Sequence, residues 1–254
     1  MKLRQVALVA EDLAPVKQSL FELLGIDDAF VDEGVGEFGL ENIVMSIGTT
    51  FLEVVSPTQA GTTAGRLLER RGGDGGYMVI VQVDDFATEV ARLQAAGIRK
   101  VWEVDTPKAK ACHMHPRDVP GAITSVDQMT PPEAWYWAGP DWESRVARYV
   151  SAITGVQIQC AAPLEVAEQW SLAYGRPITQ RNGIPVLLFG EGEVRFVEDR
   201  DGRGTGLQAL DLRATDMAAI EKAAQRLNLS MQDQSVSVCG TQFNFSTDEY
   251  LREQ

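Results

Sequence analysis

QVALVAEDLAPVKQSLFELLG, Gln5 to Gly25, is the stretch whose reading decides the fold. Val6 and Leu8 alternate with Gln5, Ala7 and Val9, the period-two spacing of a strand with two faces. Glu11 and Asp12 close that strand. Val16, Leu20 and Leu23 or Leu24 then recur at helical spacing, and Gly25 is a good helix stop. The same phrase returns as YMVIVQVDDFATEVARLQAAG (Tyr77 to Gly97), VQIQCAAPLEVAEQWSLAYG (Val156 to Gly175) and LQALDLRATDMAAIEKAAQRLNL (Leu207 to Leu229). These starts define a structural unit of roughly 50 to 80 residues used repeatedly.

Outward from that phrase, each unit reads β-α-β-β-β. In the first, Asn42 to Ile47 and Thr50 to Val55 form a hairpin turning at Gly48. In the second, Phe86, Val90 and Leu93 mark the helix. Lys100 to Val104, Ala111 to His115 and Gly121 to Val126 are its further strands. Gly61 to Gly76 (GTTAGRLLERRGGDGG) joins these two units with a short helix and a glycine hinge. Thr130 to Trp142 (TPPEAWYWAGPDW) joins the halves. Its rings at Trp135, Tyr136, Trp137 and Trp142 are expected to pack between halves or subunits. The expected organisation is an N-terminal domain over 1–129, with modules at about 1–60 and 75–129. A Pro/Trp-rich linker follows over 130–149, and a degenerate second domain over 150–254.

Bulk properties narrow the function. A net charge of -13 would repel nucleic-acid phosphates. No run approaches the roughly 18 apolar residues of a membrane span. The apolar start MKLRQVALVAEDL is cut off by Glu11 and Asp12, too soon for a signal peptide. Cys112, Cys160 and Cys239 are far apart, which suggests neither disulfides nor a zinc site. The expectation is a cytoplasmic protein acting on a small molecule, with no nucleic-acid or membrane partner.

Paired β-α-β-β-β units resemble the vicinal oxygen chelate superfamily, which includes glyoxalase I, methylmalonyl-CoA epimerase, bleomycin-resistance proteins and extradiol dioxygenases. QVALVAEDL looks like the family's first strand and acidic turn, and TFLEVVSP like its fourth strand. HMHPRDVPGAITSVDQ is similar to the segment that carries the last ligand in epimerase-like members. The resemblance implies an α+β fold of four βαβββ modules, arranged as two tandem glyoxalase-like domains with cupped mixed sheets. It also implies a homodimer in many members. The family's ligand positions fall on Gln5, Glu53, Met78 and Ser125. A thioether and a serine hydroxyl are poor ligands for hard divalent ions. Two states are therefore open: one divalent metal, with Zn, Mn, Mg, Fe and Co not separable, or none.

The histidines, His113 and His115, stand two apart on an expected strand, so both rings share a face. Three readings stand: two metal ligands completed by Gln5 and Glu53, a general acid–base pair, or one packing ring and one cap on the turn before Pro116. In an apolar cup the Glu53 pKa would rise, suiting it to move a proton alpha to a carbonyl. The expected catalytic residues are Glu53, His115 and His113. Gln5, Met78, Trp102, Arg117 and Ser125 are expected to contact substrate. The leading expectation is an isomerase or lyase acting by proton transfer in the N-terminal cup. A non-catalytic binding or resistance protein is the alternative, and an extradiol dioxygenase lies further off, because the second half has no histidine.

Overall fold

A computed structural model describes residues 1–247; the end of the expected C-terminal domain, 248–254, lies outside the described residues. The first half runs β1 (Lys2–Val9), α1 (Leu13–Leu24), β2 (Leu40–Ile47), β3 (Thr50–Pro57), α2 (Thr63–Arg71), β4 (Gly75–Gln82), α3 (Phe86–Ala95), β5 (Lys100–Asp105), β6 (Ala109–Met114) and β7 (Ile123–Met129). The second runs β8 (Val150–Cys160), α4 (Pro163–Tyr174), β9 (Thr179–Arg181), β10 (Ile184–Phe189), β11 (Gly192–Glu198), β12 (Gly206–Ala214), α5 (Met217–Arg226), β13 (Ser235–Val238) and β14 (Thr241–Ser246). Two seven-stranded mixed sheets result, ordered β2-β3-β1-β4-β7-β6-β5 and β13-β14-β12-β8-β11-β10-β9. This is the α+β arrangement of repeated modules that the sequence rhythm predicts.

Local chemistry explains the rhythm. The carboxylates of Asp12, Asp85 and Asp216 each accept a first-turn amide of α1, α3 and α5. The third copy begins its helix instead with Pro163, whose missing N–H costs nothing in the first turn. Gly25 ends α1 in the left-handed region at φ 68°. Two modules lack a strand of the expected set. In the first, Ile26 to Gly39 has no apolar alternation; only Phe30 bridges to Val44, and Asp32 caps a 3-10 turn. In the fourth, a single bridge at Gln232 replaces the strand.

The chain clusters into two compact units that interleave it. One takes Met1–Gln5, Tyr77–Tyr136 and Gly155–Leu207; the other takes Val6–Gly76, Trp137–Thr154 and the residues from Gln208 onward. In the first unit, Trp170 and Tyr174 of α4 pack on Phe196 and Phe189. Their polar tips find partners: the Trp170 Nε1 donates to the Pro120 carbonyl at 2.8 Å and the Tyr174 hydroxyl to the Ser125 carbonyl at 3.3 Å. In the second unit, Val16, Leu20, Leu23 and Leu24 form the buried stripe of α1. The Trp142 ring meets Phe51 edge-on at 5.2 Å. Gly48 turns the β2–β3 hairpin at φ 58°, and a Cβ there would stand 2.0 Å from the Ser151 carbonyl oxygen. Trp135 and Trp142 are both buried.

Candidate functional site

Strand register builds a continuous face in the first unit. Along the parallel pair β4 and β7, Met78 lies beside Ile123, Ile80 beside Ser125 and Gln82 beside Asp127. Across β6 and β7, His113 lies beside Ser125 and Ala111 beside Asp127; across β5 and β6, Trp102 lies beside His113. Residues side by side on neighbouring strands share a face. One row therefore runs Ile80, Ser125, His113, Trp102, and the next Gln82, Asp127, Ala111.

That face carries chemistry in a buried setting. Asp127 is 1% exposed and accepts the Ser125 hydroxyl at 2.6 Å. His113 stacks against Trp102 with ring centroids 4.5 Å apart. Burial pushes the His113 pKa down to about 4, so its imidazole is neutral at pH 7. Its neighbour behaves differently. β6 ends at Met114, so His115 lies past the strand on which both rings were expected. Pro116 has no amide to continue a ladder, and the chain turns there. The His115 Nδ1 accepts the Arg117 amide at 3.1 Å, capping that turn, while the Arg117 side chain is exposed.

Gln5 is 2% exposed, and its Oε1 accepts the Trp135 indole N–H at 2.7 Å. The Arg4 guanidinium lies 5.4 Å from the centroid of the same ring. Gln82, also buried, donates to the Pro132 carbonyl at 2.5 Å. The strand floor is thus bound to the segment that follows β7.

Glu53 belongs to the second unit and is 7% exposed, despite the apolar strand around it. The Asn42 side chain fixes it: its Oδ1 accepts the Asp32 amide at 3.0 Å, which turns its Nδ2 to donate to Glu53 Oε1 at 2.6 Å. In the second sheet, the residue beside Gln157 is Arg195 and that beside Asp211 is Asn244. Glu198 stands exposed at the end of β11, beside Cys160.

These surroundings decide whether the family's positions suit a divalent metal. Gln5 directs its oxygen to an indole, Met78 offers a thioether, and the Ser125 proton bonds Asp127. Such a set does not match the oxygen and imidazole donors of hard divalent ions. Among the described residues, no group of three or more His, Cys, Asp or Glu is gathered for a metal. The residues that the sequence reading passed over are Asp127, Gln82 and Trp135. Asp127 and Gln82 had a signal, since they lie two and four residues along the strand from Ser125 and Met78. Trp135 had none pointing to Gln5.

No protein-family model and no curated protein sequence matches this chain. Solved structures do. A triple mutant of 4-hydroxymandelate synthase from Streptomyces coelicolor aligns over 92% of this chain and 77% of its own, with TM-score 0.69 and 15% identity. A hypothetical protein from Staphylococcus aureus aligns over 97% and 98%, with TM-score 0.68 and 10% identity. Methylmalonyl-CoA epimerase from Mycobacterium tuberculosis covers 50% of this chain and 87% of its own at TM-score 0.44 and 17% identity. The two near-complete alignments, with the paired seven-stranded sheets, show that this chain has the tandem vicinal-oxygen-chelate fold.

Proposed function

We propose that this protein is a small-molecule isomerase or lyase that moves a proton alpha to a carbonyl without a metal. The observation that carries the reading is the shared strand face in the first unit, where a neutral imidazole and a buried carboxylate occur within two residue rows. The His113 N–H donates to the substrate carbonyl oxygen. A carboxylate takes the alpha proton as the C–H electron pair moves into the enolate. Returning that proton at the same or an adjacent carbon gives isomerisation; loss of a beta substituent instead gives elimination. Neutral histidine suits the first role, because it polarises without carrying charge. Asp127 is the carboxylate on that face. Met78, Trp102, Gln5 and Ser125 supply the apolar and polar walls. His115 and Arg117, at the turn, would meet a substrate carboxylate from outside.

Deuterium incorporation at the alpha carbon of 2-oxo acids and acyl thioesters, followed by proton NMR in D2O with chelator present, tests this. Exchange should occur with wild type and fall by about 10²-fold or more in His113→Gln. Asp127→Asn should lower exchange likewise, whereas Glu53→Gln, in the other unit, should leave it. Failure of every such substrate to exchange would overturn the reading. A second reading, a binding protein of the same fold, is favoured by the engagement of Gln5 with Trp135. Saturable ligand binding with no exchange selects it. Both readings take the protein as cytoplasmic and homodimeric, the latter checked by sedimentation.

A further inference from the structure

The segment Thr130 to Tyr136 crosses the face just described and is built unlike the rest of the core. Thr130, Pro131, Pro132 and Glu133 are exposed, whereas Trp135 is 0% exposed. The Trp135 ring and side-chain bonds from the strands help to hold it down. Gln82 donates to the Pro132 carbonyl at 2.5 Å, Arg4 to the Glu133 carbonyl at 3.5 Å, and the Trp135 indole donates to Gln5 at 2.7 Å. At its ends, the Thr130 amide donates to the Lys108 carbonyl at 2.8 Å and the Tyr136 hydroxyl donates to the Thr130 carbonyl at 3.0 Å. No ladder of backbone hydrogen bonds joins its middle to a strand among the described residues. Such a segment can lift without breaking a sheet.

What it presents to the floor has the form of a ligand: a flat bicyclic ring, an N–H directed at Gln5 and a carbonyl directed at Gln82. Both glutamines are buried, so each needs its partner replaced when the segment leaves. We propose that Thr130–Tyr136 is a lid whose Trp135 occupies the ring position of the ligand, and that the site takes a flat aromatic compound offering a donor to Gln5 and an acceptor to Gln82. The proposal rests on the reading that this face of the first unit handles a small molecule. It adds which class of molecule enters and what must move first.

Indole-3-carboxamide, with the ring N–H and the carbonyl, is the probe; 1-naphthamide lacks the ring N–H. Hydrogen exchange of the amides of Thr130 and of Glu133 to Tyr136 in the full-length protein should speed up by about tenfold or more at saturating indole-3-carboxamide. A site built around a hydrogen bond rejects the analogue without it, so 1-naphthamide should bind about tenfold or more weakly. Gln5→Leu should erase that preference. Trp135→Phe keeps an aromatic ring but drops the donor, and should bind the probe about tenfold more tightly because the lid opens more readily. Arg4→Leu, which frees the Glu133 carbonyl without touching either glutamine, gives the same direction should Trp135→Phe fold poorly. Unchanged exchange of 130–136 in the presence of probe, or equal probe affinity in wild type and a folded lid variant, overturns the proposal. A moving lid with no alpha-proton exchange would keep this inference and remove the enzyme. Alpha-proton exchange beneath a fixed segment would do the reverse.

Discussion

Protonating His113 gives a test whose size follows from its burial. Its pKa lies near 4 in the fold against an ordinary value of 6.5, because the imidazole is desolvated. Above 6.5 neither the folded nor the unfolded chain holds the proton. Between 6.5 and 4 the unfolded chain binds it and the folded chain does not, so stability falls as pH drops through that window. Below 4 both hold it and the loss is complete. A shift of about 2.5 units at about 1.4 kcal/mol each gives about 3 kcal/mol in total. Acid unfolding also involves carboxylates, so the comparison is wild type against His113→Gln. Asp118, whose hydrogen bonds from Arg99 lower its pKa to about 2, loses its contribution only below the His113 window. Urea unfolding between about pH 7 and pH 4.5 should show wild-type stability falling toward the variant's or below it, with the difference changing monotonically. With only two histidines in the chain, NMR can follow the His113 ring directly. Parallel stability curves, or a ring that titrates near its ordinary value, would refute the burial argument and remove the neutral imidazole from the mechanism.

Three further outcomes follow from the packing. Gly48→Ala should destabilise well beyond the roughly 1–2 kcal/mol of a left-handed non-glycine residue, because its Cβ meets the Ser151 carbonyl; Gly97→Ala, with open space around it, should show only the strain. Thermal melts of the pair check this, and equal losses would disprove the close approach. Asn42→Ala removes a buried donor to Glu53 and should cost about 1–3 kcal/mol, read by urea unfolding; a loss below about 0.5 kcal/mol would mean water takes the place of the amide. Cys112, Cys160 and Cys239 are all buried, and burial raises the Cys112 thiol to about 11. A thiol reagent at pH 8 should therefore label none of them until denaturant is added, and rapid labelling of the native chain would contradict their burial.

The modules were legible because their signals are local. A strand alternates over a few residues, an aspartate caps the helix that follows, and a glycine ends it; Asp12, Asp85 and Asp216 do this three times over. Where the local signal fails, so does the reading. Ile26 to Gly39 lacks alternation, and the strand expected there shrinks to one bridge at Phe30. At His115 the sequence did contain the answer. The residue before a proline favours extended or turn geometry, and Pro116 cannot donate to a ladder, which is why β6 stops one residue short of the second imidazole.

The shared strand face was legible in its positions, but the bonds made on it were not. Alternation identifies the face of β7, and with it Asp127 beyond Ser125. Nothing local says that the Ser125 hydroxyl bonds that carboxylate. Gln5 is the sharper case, because an amide oxygen can serve a metal, a substrate or another side chain equally well. Its partner decides, and the partner lies 130 residues along the chain. With the Trp135 indole donating to it, the buried Gln5 oxygen is engaged within the chain. It becomes an acceptor that any replacement must satisfy with an N–H or O–H. An incoming molecule that lacked such a group would strand a buried amide at a cost of about 1–3 kcal/mol, a penalty of about five- to 150-fold. The bond that engages the Gln5 oxygen therefore sets the entry requirement for whatever lifts the lid.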